Sequence, residues 1–421
     1  MEVRKGYKNT EVGLIPGDWQ VQKMSDVTTL MTNGFVGTAT SHYTEFDDGI
    51  IYIQGFNVEE NAFNFSGIKR VTRTFHKQHA KSKLQAGDLL TIQTGEVGLT
   101  TIVPEELAGA NCHALIISRF RRGKANPKYC SYYLNSHRGR ARLREIETGT
   151  TMKHINVGDM IHFTVPLPPT IAEQESIATA LSDADALITS LEKLIAKKRL
   201  IKQGAMQELL TPKEGWVTKK LREVVDHIPS GIYGFEKQGD GLFSFPVATT
   251  AHIDDDDTWN TKPMTARYFQ KVSIAKYAPR VGDLIVVKSS GSAEKIKSGK
   301  LGLVDDELSG TFIFSNFLML LRPTAIDPVF LYNFLISHRV RSILPSLCEA
   351  STYPNLRMDE YLDIAIPYPR RTEQTRIAGI LSDMDTEISS LETKLAKYKN
   401  IKQGMMQELL TGKIRLVKGA N

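Results

Sequence analysis

Apolar residues recur at spacings of three and four positions in two long stretches of the chain, and this spacing predicts two long helices. The stripes contain Ile177, Leu181, Ala184, Ile188, Leu191 and Ile195 in the first stretch, and Ile377, Leu381, Met384, Ile388, Leu391, Leu395 and Tyr398 in the second. A stripe this narrow is typical of the seam of a coiled coil. We therefore predict that the two helices pair with each other; the alternative is that each helix packs only on its own domain. The residues predicted to pair the helices or contact partners are Ile177, Leu181, Ile188, Leu191, Ile377, Leu381, Ile388 and Leu391.

The two helical stretches are copies of each other. Residues 173–211 match residues 373–411 without a gap, with 24 identities over 39 positions. The preceding segments repeat more weakly but in the same order, as in NPKYCSYYLNSHRGR and DPVFLYNFLISHRVR. A repeat of this kind predicts duplicated structure. The predicted organisation is a first variable domain (residues 1–170) and a first spacer helix (171–211), then a second variable domain (212–371) and a second spacer helix (372–415). A tail (416–421) follows.

Short runs rich in β-branched and aromatic residues occupy the segments before each helix, and Gly, Asn and Asp turns separate them. They include GIIYIQGF, DLLTIQTG and ALIISRF in the first segment and DLIVVKSSG and FIFSNFLMLLR in the second. A short helix follows in each segment, with Asn126-Pro127 or Asp327-Pro328 as its N-cap and first residue. The sequence therefore predicts mixed α/β variable domains, but it fixes no strand order.

Length and composition narrow the class of protein. At 421 residues, the chain is long enough for two or more domains. No apolar run approaches the roughly 18 residues of a membrane span, and the charged N-terminus lacks an apolar signal region, so we expect a cytoplasmic protein without a membrane partner. Cys112, Cys130 and Cys348 lack metal-ligand spacing, so we expect reduced thiols and no metal site.

Positive charge is concentrated in one segment, although the formal net charge of the chain is only +6. Nine Lys or Arg residues and no acidic residue lie between Arg119 and Arg144. Such a run suits contacts with nucleic-acid phosphates; a solvated basic face is the alternative.

Catalytic motifs are incomplete. The segment NPKY at Asn126 lacks the second proline of the Asn-Pro-Pro-Tyr motif of adenine methyltransferases, and no glycine-rich cofactor loop accompanies it. Asp283, Glu294 and Lys295 lack the spacing of a metal-dependent nuclease, and the acidic run at 254–257 lacks the further carboxylates of a calcium loop. We therefore expect no catalytic residues and no metal ligands in this chain. The alternatives are a fused methyltransferase or nuclease, and a coiled-coil scaffold that does not bind DNA.

Two pairs of loops combine glycine with side chains that suit base edges and phosphates. Segments 93–98 and 288–300 follow matching strands, and segments 149–156 and 350–357 precede the last strand of each domain. An ordinary structural turn is the alternative for each loop. Together with the start of the basic run, these loops supply the predicted DNA-binding residues, which are Gln93, Thr94, Arg119, Arg121, Arg122, Lys153, His154, Lys288, Ser289, Ser290, Lys295, Lys297, Tyr353, Asn355 and Arg357.

These motifs, at these spacings, resemble the specificity subunits of type I restriction-modification systems. The resemblance covers nearly the whole chain. It rests on the opening EVGLIPGDW, the GDLL and GDLI strands, the STYPNL loop, the PLPP and PYP segments before AEQESIA and TEQTRIA, and the duplicated KQGxMQELLT helix ends. One departure is the loop GTTMKHIN, which lacks the Pro-Asn of STYPNL and is expected to present different groups.

The resemblance implies an α+β fold, in which two pseudo-two-fold related mixed α/β target recognition domains are joined by two long antiparallel helices that form a coiled coil. Each domain would read one half of a bipartite, asymmetric site in double-stranded DNA. The helices would dock two methylation subunits, and the resemblance allows two restriction subunits as further partners. S-adenosylmethionine, ATP and Mg²⁺ would then act in the partner subunits, and this chain would hold no cofactor.

Overall fold

The computed structural model describes residues 5–290, 296–349 and 354–416. The chain forms two compact units, the first from residues 1–192 and 394–421 and the second from residues 193–393. The division falls inside both long helices, so each unit contains one variable domain and a segment of each helix. The domain boundaries read from the sequence stay a prediction.

Short helices lie within the variable domains, and a helix of 39 residues follows each domain. The helices are α1 Met24–Val27, α2 Arg73–Gln78, α3 Pro127–Asn135, α4 His137–Glu145, α5 Val157–His162, α6 Ile171–Leu209, α7 Lys271–Tyr277, α8 Pro328–Ile336, α9 His338–Arg341, α10 Met358–Leu362 and α11 Arg371–Leu409.

The strands are short in both units. Those of the first unit are β1 Tyr7–Thr10, β2 Gly13–Pro16, β3 Gln20–Lys23, β4 Thr28–Asn33, β5 Ile50–Ile53, β6 Val58–Glu59, β7 Ala62–Phe63, β8 Lys69–Val71, β9 Leu89–Ile92, β10 Thr100–Ile102, β11 Asn111–Cys112, β12 Leu115–Phe120 and β13 Thr164–Leu167. Those of the second unit are β14 Val217–Lys220, β15 Val225–Ile228, β16 Leu242–Ala248, β17 Thr265–Gln270, β18 Leu284–Val287, β19 Leu301–Leu303, β20 Ile313–Phe314, β21 Leu318–Pro323 and β22 Ala365–Tyr368.

The two variable domains share one topology. The first has an antiparallel sheet of order β10-β9-β12-β4, a sheet of order β11-β5-β8 and the pair β13-β3. The second has the corresponding orders β19-β18-β21-β15, β20-β16-β17 and β22-β14. In both smaller sheets the first two strands run parallel and the last pair runs antiparallel. The structure therefore confirms repeated mixed α/β domains, and it supplies the strand order that the sequence left open.

Each central strand separates two apolar cores, because successive side chains of a strand point to opposite faces of its sheet. In β18, Leu284 and Val286 belong to one core, and Ile285 and Val287 belong to the other. A strand buried on both faces appears in the sequence as the continuous apolar run LIVV.

The short helices α3 and α8 begin where the sequence predicts. Pro127 and Pro328 are their first residues, and the preceding side chains, Asn126 and Asp327, accept hydrogen bonds from first-turn amides at 2.9 to 3.1 Å. Proline suits this position because the first amides of a helix have no partner within the helix. The NPKY segment is therefore a helix start.

A buried glutamine joins each long helix to its variable domain. The side chain of Gln174 accepts a hydrogen bond from the Asn126 amide at 2.8 Å and donates one to the Pro168 carbonyl at 3.0 Å. The side chain of Gln374 likewise accepts a hydrogen bond from the Asp327 amide and donates one to the Pro369 carbonyl, both at 2.8 Å. The duplicated glutamines thus fix where each helix begins.

Segments of the two long helices run antiparallel in each unit. In the first unit, Lys402 pairs with Asp185 at 2.6 Å and Lys399 with Glu192 at 2.7 Å, so residue numbers rise along one helix as they fall along the other. The second unit has the same order, with the ion pairs Lys202–Asp385 and Arg199–Glu392 at 2.5 and 2.6 Å. These ion pairs are partly exposed, and such pairs contribute about 1 kcal/mol or less each, so they set the register of the helices more than their stability.

The stripe residues are inside the molecule. Of the predicted pairing residues, all except Leu391 are buried, and Leu391 is half-buried. Ile177 and Leu181 belong to the apolar core of the first unit that also contains Leu409, the last residue of α11, and Leu410, which follows it. Ile377 and Leu381 lie in the corresponding core of the second unit. The ends of the stripe thus pack in the domain cores.

Candidate nucleic-acid interface

The two predicted loops of the first unit lie against each other. Thr94 and His154 form an isolated antiparallel bridge, the Ile155 amide donates to the Gln93 carbonyl, and the Gln93 side chain donates to the Ile155 carbonyl, both at 3.1 Å. Thr94 and Lys153 are exposed, whereas Gln93 and His154 are half-buried. These four predicted DNA-binding residues therefore form one cluster.

The second unit joins its loops in the same way. Ser289 and Asn355 form an isolated antiparallel bridge, and the Leu356 amide donates to the Lys288 carbonyl at 2.8 Å. Asn355 is exposed, while Lys288 and Ser289 are half-buried. Burial lowers the pKa of the Lys288 ammonium, because a charged group loses hydration there. Ser290 continues this cluster, and its hydroxyl donates to that of Thr250 at 3.3 Å.

Both clusters lie at one end of equivalent sheets, which we call the loop edge. In the first unit, β9 ends at Ile92, which is paired with Leu115 at the start of β12. In the second unit, β18 ends at Val287, which is paired with Leu318 at the start of β21. Segments far apart in the sequence are thus brought together twice by the same topology.

An arginine holds the loop after the central strand in each unit. The guanidinium of Arg140 donates to the Val97 carbonyl at 2.6 Å, and that of Arg341 donates to the Gly299 carbonyl at 2.8 Å. Both arginines are positioning residues that loop composition does not single out. The repeated segments SHRGR and SHRVR, in which both arginines occupy the last position, were the available signal.

Three predicted residues lie at the opposite end of the sheet from the loop edge. Arg119 makes a bidentate ion pair with the buried carboxylate of Asp88 at 2.8 and 2.7 Å, and Arg121 donates to the Thr28 carbonyl at 2.9 Å. Arg122 follows them and is exposed. At about 3.3 Å per residue, Arg121 is roughly 20 Å from the start of β12. The structure therefore does not group Arg119, Arg121 and Arg122 with the loop residues, and their contact with DNA stays a prediction.

Three further arginines of the basic run also bond within the first unit. Besides Arg140, Arg142 donates to the carbonyl and hydroxyl of Thr164, and Arg138 donates to the Leu14 carbonyl at 3.4 Å. Much of the run therefore connects elements of the fold.

Two of the carboxylates considered for a nuclease or a cation site have structural partners. Asp283 binds Arg322 with two hydrogen bonds at 2.8 and 2.6 Å, repeating the Asp88 pair. Asp257, at the end of the acidic run, accepts a hydrogen bond from the Leu301 amide at 2.9 Å and pairs with Arg341. Over the described ranges, no group of three or more His, Cys, Asp or Glu residues could hold a metal ion.

The remaining predicted residues have mixed placements. Lys297 lies 3.5 Å from an Asp255 carboxylate oxygen, and Arg357 pairs with Glu360 at 2.5 Å. Lys295 and Tyr353, like Glu294, lie outside the described residues.

In the part of the chain that is described, no helix is both long and apolar enough to cross a membrane.

Known proteins share this pattern. The family model for the type I restriction modification DNA specificity domain matches residues 16–202 and again 213–400. A relative from Methanocaldococcus jannaschii, provisionally named the specificity subunit of the type I restriction enzyme MjaX, is 24% identical, over 98% of this chain and 97% of its own length.

Two solved structures share the fold. The S subunit of a type I restriction-modification system from M. genitalium matches with a TM-score of 0.60 and 16% identity, over 97% of this chain and 98% of its own. The second structure is described as showing complex assembly and conformational transition of the type I R-M system. One of its chains matches with a TM-score of 0.55 and 18% identity, over 95% of this chain and 99% of its own. This likeness, together with the repeated topology, confirms the fold class expected from the sequence.

Proposed function

We propose, because the chain belongs to the family of type I restriction modification DNA specificity domains, that each unit reads one half of a bipartite, asymmetric target in double-stranded DNA. The observation that carries this proposal is the repeated loop edge. Thr94 and Lys153 in the first unit, and Ser289 and Asn355 in the second, are held next to each other by backbone hydrogen bonds from the same two places in the fold.

The chemistry of these side chains suits base recognition. Hydroxyl and amide groups can both donate to and accept from base edges in the major groove, and an exposed ammonium binds phosphate oxygens. The backbone pairing of the two loops fixes their side chains before DNA arrives, which reduces the entropy that binding would cost.

The test removes loop side chains from one unit at a time in the complex with the methylation subunits. Thr94→Ala with Lys153→Ala should weaken discrimination in one half of the target by about tenfold and leave the other half unchanged. Ser289→Ala with Asn355→Ala should affect the opposite half. Methylation of a DNA library randomised in both halves measures the preferences.

A matched control changes the same residue types in β3 and at the end of β4 that is far from the loop edge. Lys23→Ala with Thr29→Ala, both at exposed positions, should leave both halves of the target unchanged. If either loop variant altered both halves equally, or altered neither, modular reading would be refuted.

We further propose that the long helices dock two methylation subunits. Ile201 and Ile401 are equivalent positions in the duplicated segments and are 46% and 42% exposed; Gln203 and Gln403, two positions later, are also exposed. Burial in either unit does not account for an isoleucine at these positions, whereas a repeated partner surface does. Ile401→Asp should reduce the complex to one methylation subunit, as measured by native mass spectrometry. Retention of two subunits in the double variant with Ile201→Asp would contradict this site.

In this proposal the chain is a non-catalytic recognition subunit, and restriction subunits are further partners of the complex. S-adenosylmethionine, ATP and Mg²⁺ then act in the partner chains. The purified chain should neither methylate nor cleave DNA and should not bind S-adenosylmethionine in calorimetry. Methyl transfer by the isolated chain would favour the fused-enzyme alternative.

A further inference from the structure

We propose that each unit carries a third base-reading segment at its loop edge, a Gly-x-x-Gly turn whose third residue selects bases. The turns are residues 34–37, directly after β4, and residues 231–234, shortly after β15. Their third residues are Val36 and Tyr233. The inference rests on the proposed reading of one half-site by each unit.

The turns emerge beside the loops already described. Asn33, the last residue of β4, is paired with Ile116 of β12, and Ile228, the last residue of β15, is paired with Leu320 of β21. Since β12 lies between β4 and β9, and neighbouring strands are about 4.8 Å apart, roughly 10 Å separates the ends of β4 and β9. Three base-pair steps span about the same distance along B-DNA. The turn and the loop can therefore contact the same half-site.

Backbone contacts fix the turn of the first unit. The Gly34 amide donates to the Leu115 carbonyl and the Phe35 amide to the Cys112 carbonyl, both at 2.8 Å. A Cβ atom at Gly34 would lie 2.6 Å from the Cys112 carbonyl oxygen, so glycine is required there. Val36 follows with 67% of its surface exposed. The turn thus holds an apolar side chain in solvent at a defined place.

The turn of the second unit has the same construction. The Ile232 amide donates to the Phe314 carbonyl at 3.0 Å, and a Cβ atom at Gly231 would overlap that carbonyl. Tyr233 is 45% exposed, and the Arg267 guanidinium carbon lies 4.5 Å from its ring centre. Glu236 holds the guanidinium with an ion pair of 2.8 Å. The tyrosine ring is therefore fixed by an anchored arginine.

Exposed aromatic rings continue this surface in the second unit. Phe235 directly follows the turn and is 60% exposed, and Phe317 is 53% exposed. The Phe317 carbonyl accepts a hydrogen bond from the amide of Lys288, in the proposed reading loop, at 2.9 Å. Exposed aromatic residues thus lie beside both the turn and the loop, and exposed apolar residues grouped at one edge mark a binding surface.

Val36 and Tyr233, each the third residue of its turn, imply different base preferences. Valine has no hydrogen-bonding side-chain atom, and the major-groove group that an apolar side chain contacts is the C5-methyl of thymine. Val36 should therefore favour a T·A pair at one position of the first half-site. Tyr233 adds a hydroxyl, which can hydrogen-bond to a base edge, so its position in the second half-site should depend on a polar contact.

The experiment uses the assembled complex and DNA libraries randomised in each half-site. Val36→Ser should reduce the preference for thymine at one position of the first half-site about 5- to 10-fold and leave the second half-site unchanged. Tyr233→Phe, which removes only the hydroxyl, should relax one position of the second half-site alone. Leu30→Ser and Val281→Ser alter exposed apolar residues away from the loop edge and should change neither half-site.

The possible results separate this inference from the proposed function. If Lys153→Ala alters the first half-site but Val36→Ser, in a folded and assembled complex, alters no position of it, the turn does not read bases and half-site reading stands. If neither variant alters any position, both ideas fail together. A changed preference at a T·A position with Val36→Ser, absent with Leu30→Ser, supports the turn.

Discussion

The buried glutamine of the first unit provides a strong test of how helix and domain are joined. In Gln174→Leu, the replacement keeps most of the side-chain volume but removes both of its hydrogen bonds. The Asn126 amide and the Pro168 carbonyl, bound at 2.8 and 3.0 Å, lose their partner. The side chain is only 2% exposed, so water cannot easily replace it.

Each buried polar group left unpaired costs about 1 to 3 kcal/mol. Because two groups lose their partner and Asn126 itself is only half-buried, we expect a total loss of about 2 to 4 kcal/mol in the free energy of unfolding. For a unit of this size, each kcal/mol lowers the melting temperature by about 2 to 4 °C. Gln174→Leu should therefore melt roughly 5 to 15 °C below the wild type.

Urea denaturation followed by circular dichroism measures the loss, and calorimetry gives the melting temperature. The control is Gln203→Leu, which changes an exposed glutamine of the same helix and should alter stability by less than about 0.5 kcal/mol. Equal stability of the Gln174→Leu variant and the control would refute this account of the joint.

Three further perturbations test other parts of the structure. Arg140→Met should free the loop at Val97 and weaken binding to cognate DNA about tenfold at fixed salt, while methylation-subunit docking persists. Burial holds the pKa of His113 below 6.5, so the unfolded chain binds a proton more readily than the folded one. The first unit should therefore lose stability as the pH falls below about 6.5. His113→Asn should flatten this pH dependence in urea titrations. Asp88→Ala leaves a partly buried arginine without its ion-pair partner and should lower the free energy of unfolding by about 3 kcal/mol. Asp48→Ala, at an exposed ion pair, should lower it by less than about 1 kcal/mol in the same denaturation assay.

Much of the fold could be predicted because its signals are local. The apolar stripe and the flanking prolines located both long helices, and the Asn-Pro and Asp-Pro dipeptides located α3 and α8. Strand order was not predictable, since pairing between β4 and β12 joins residues almost 90 positions apart and leaves no short-range pattern.

The site was only partly predictable for a related reason. Loop composition singled out Lys153 and Asn355. The sequence, however, does not distinguish a basic residue that contacts DNA from one that pairs with a carboxylate of its own fold. Arg119 is such a case, because its partner Asp88 lies 31 positions away. The Gly-x-x-Gly turns were visible in the sequence as glycines at 34 and 37 and at 231 and 234. Their importance depends on a close approach to Cys112 and Phe314 that only the structure reveals.

The central claim is that two units read two separate half-sites, and mapping the methylated positions tests it most directly. Genomic DNA modified by the complex should carry methyl groups within one motif that has two specified segments separated by an unspecified gap. When residues 18–165 are replaced by the equivalent segment of a relative, one specified segment should change and the other should remain. A continuous motif, or a change in both segments after this single replacement, would contradict the account.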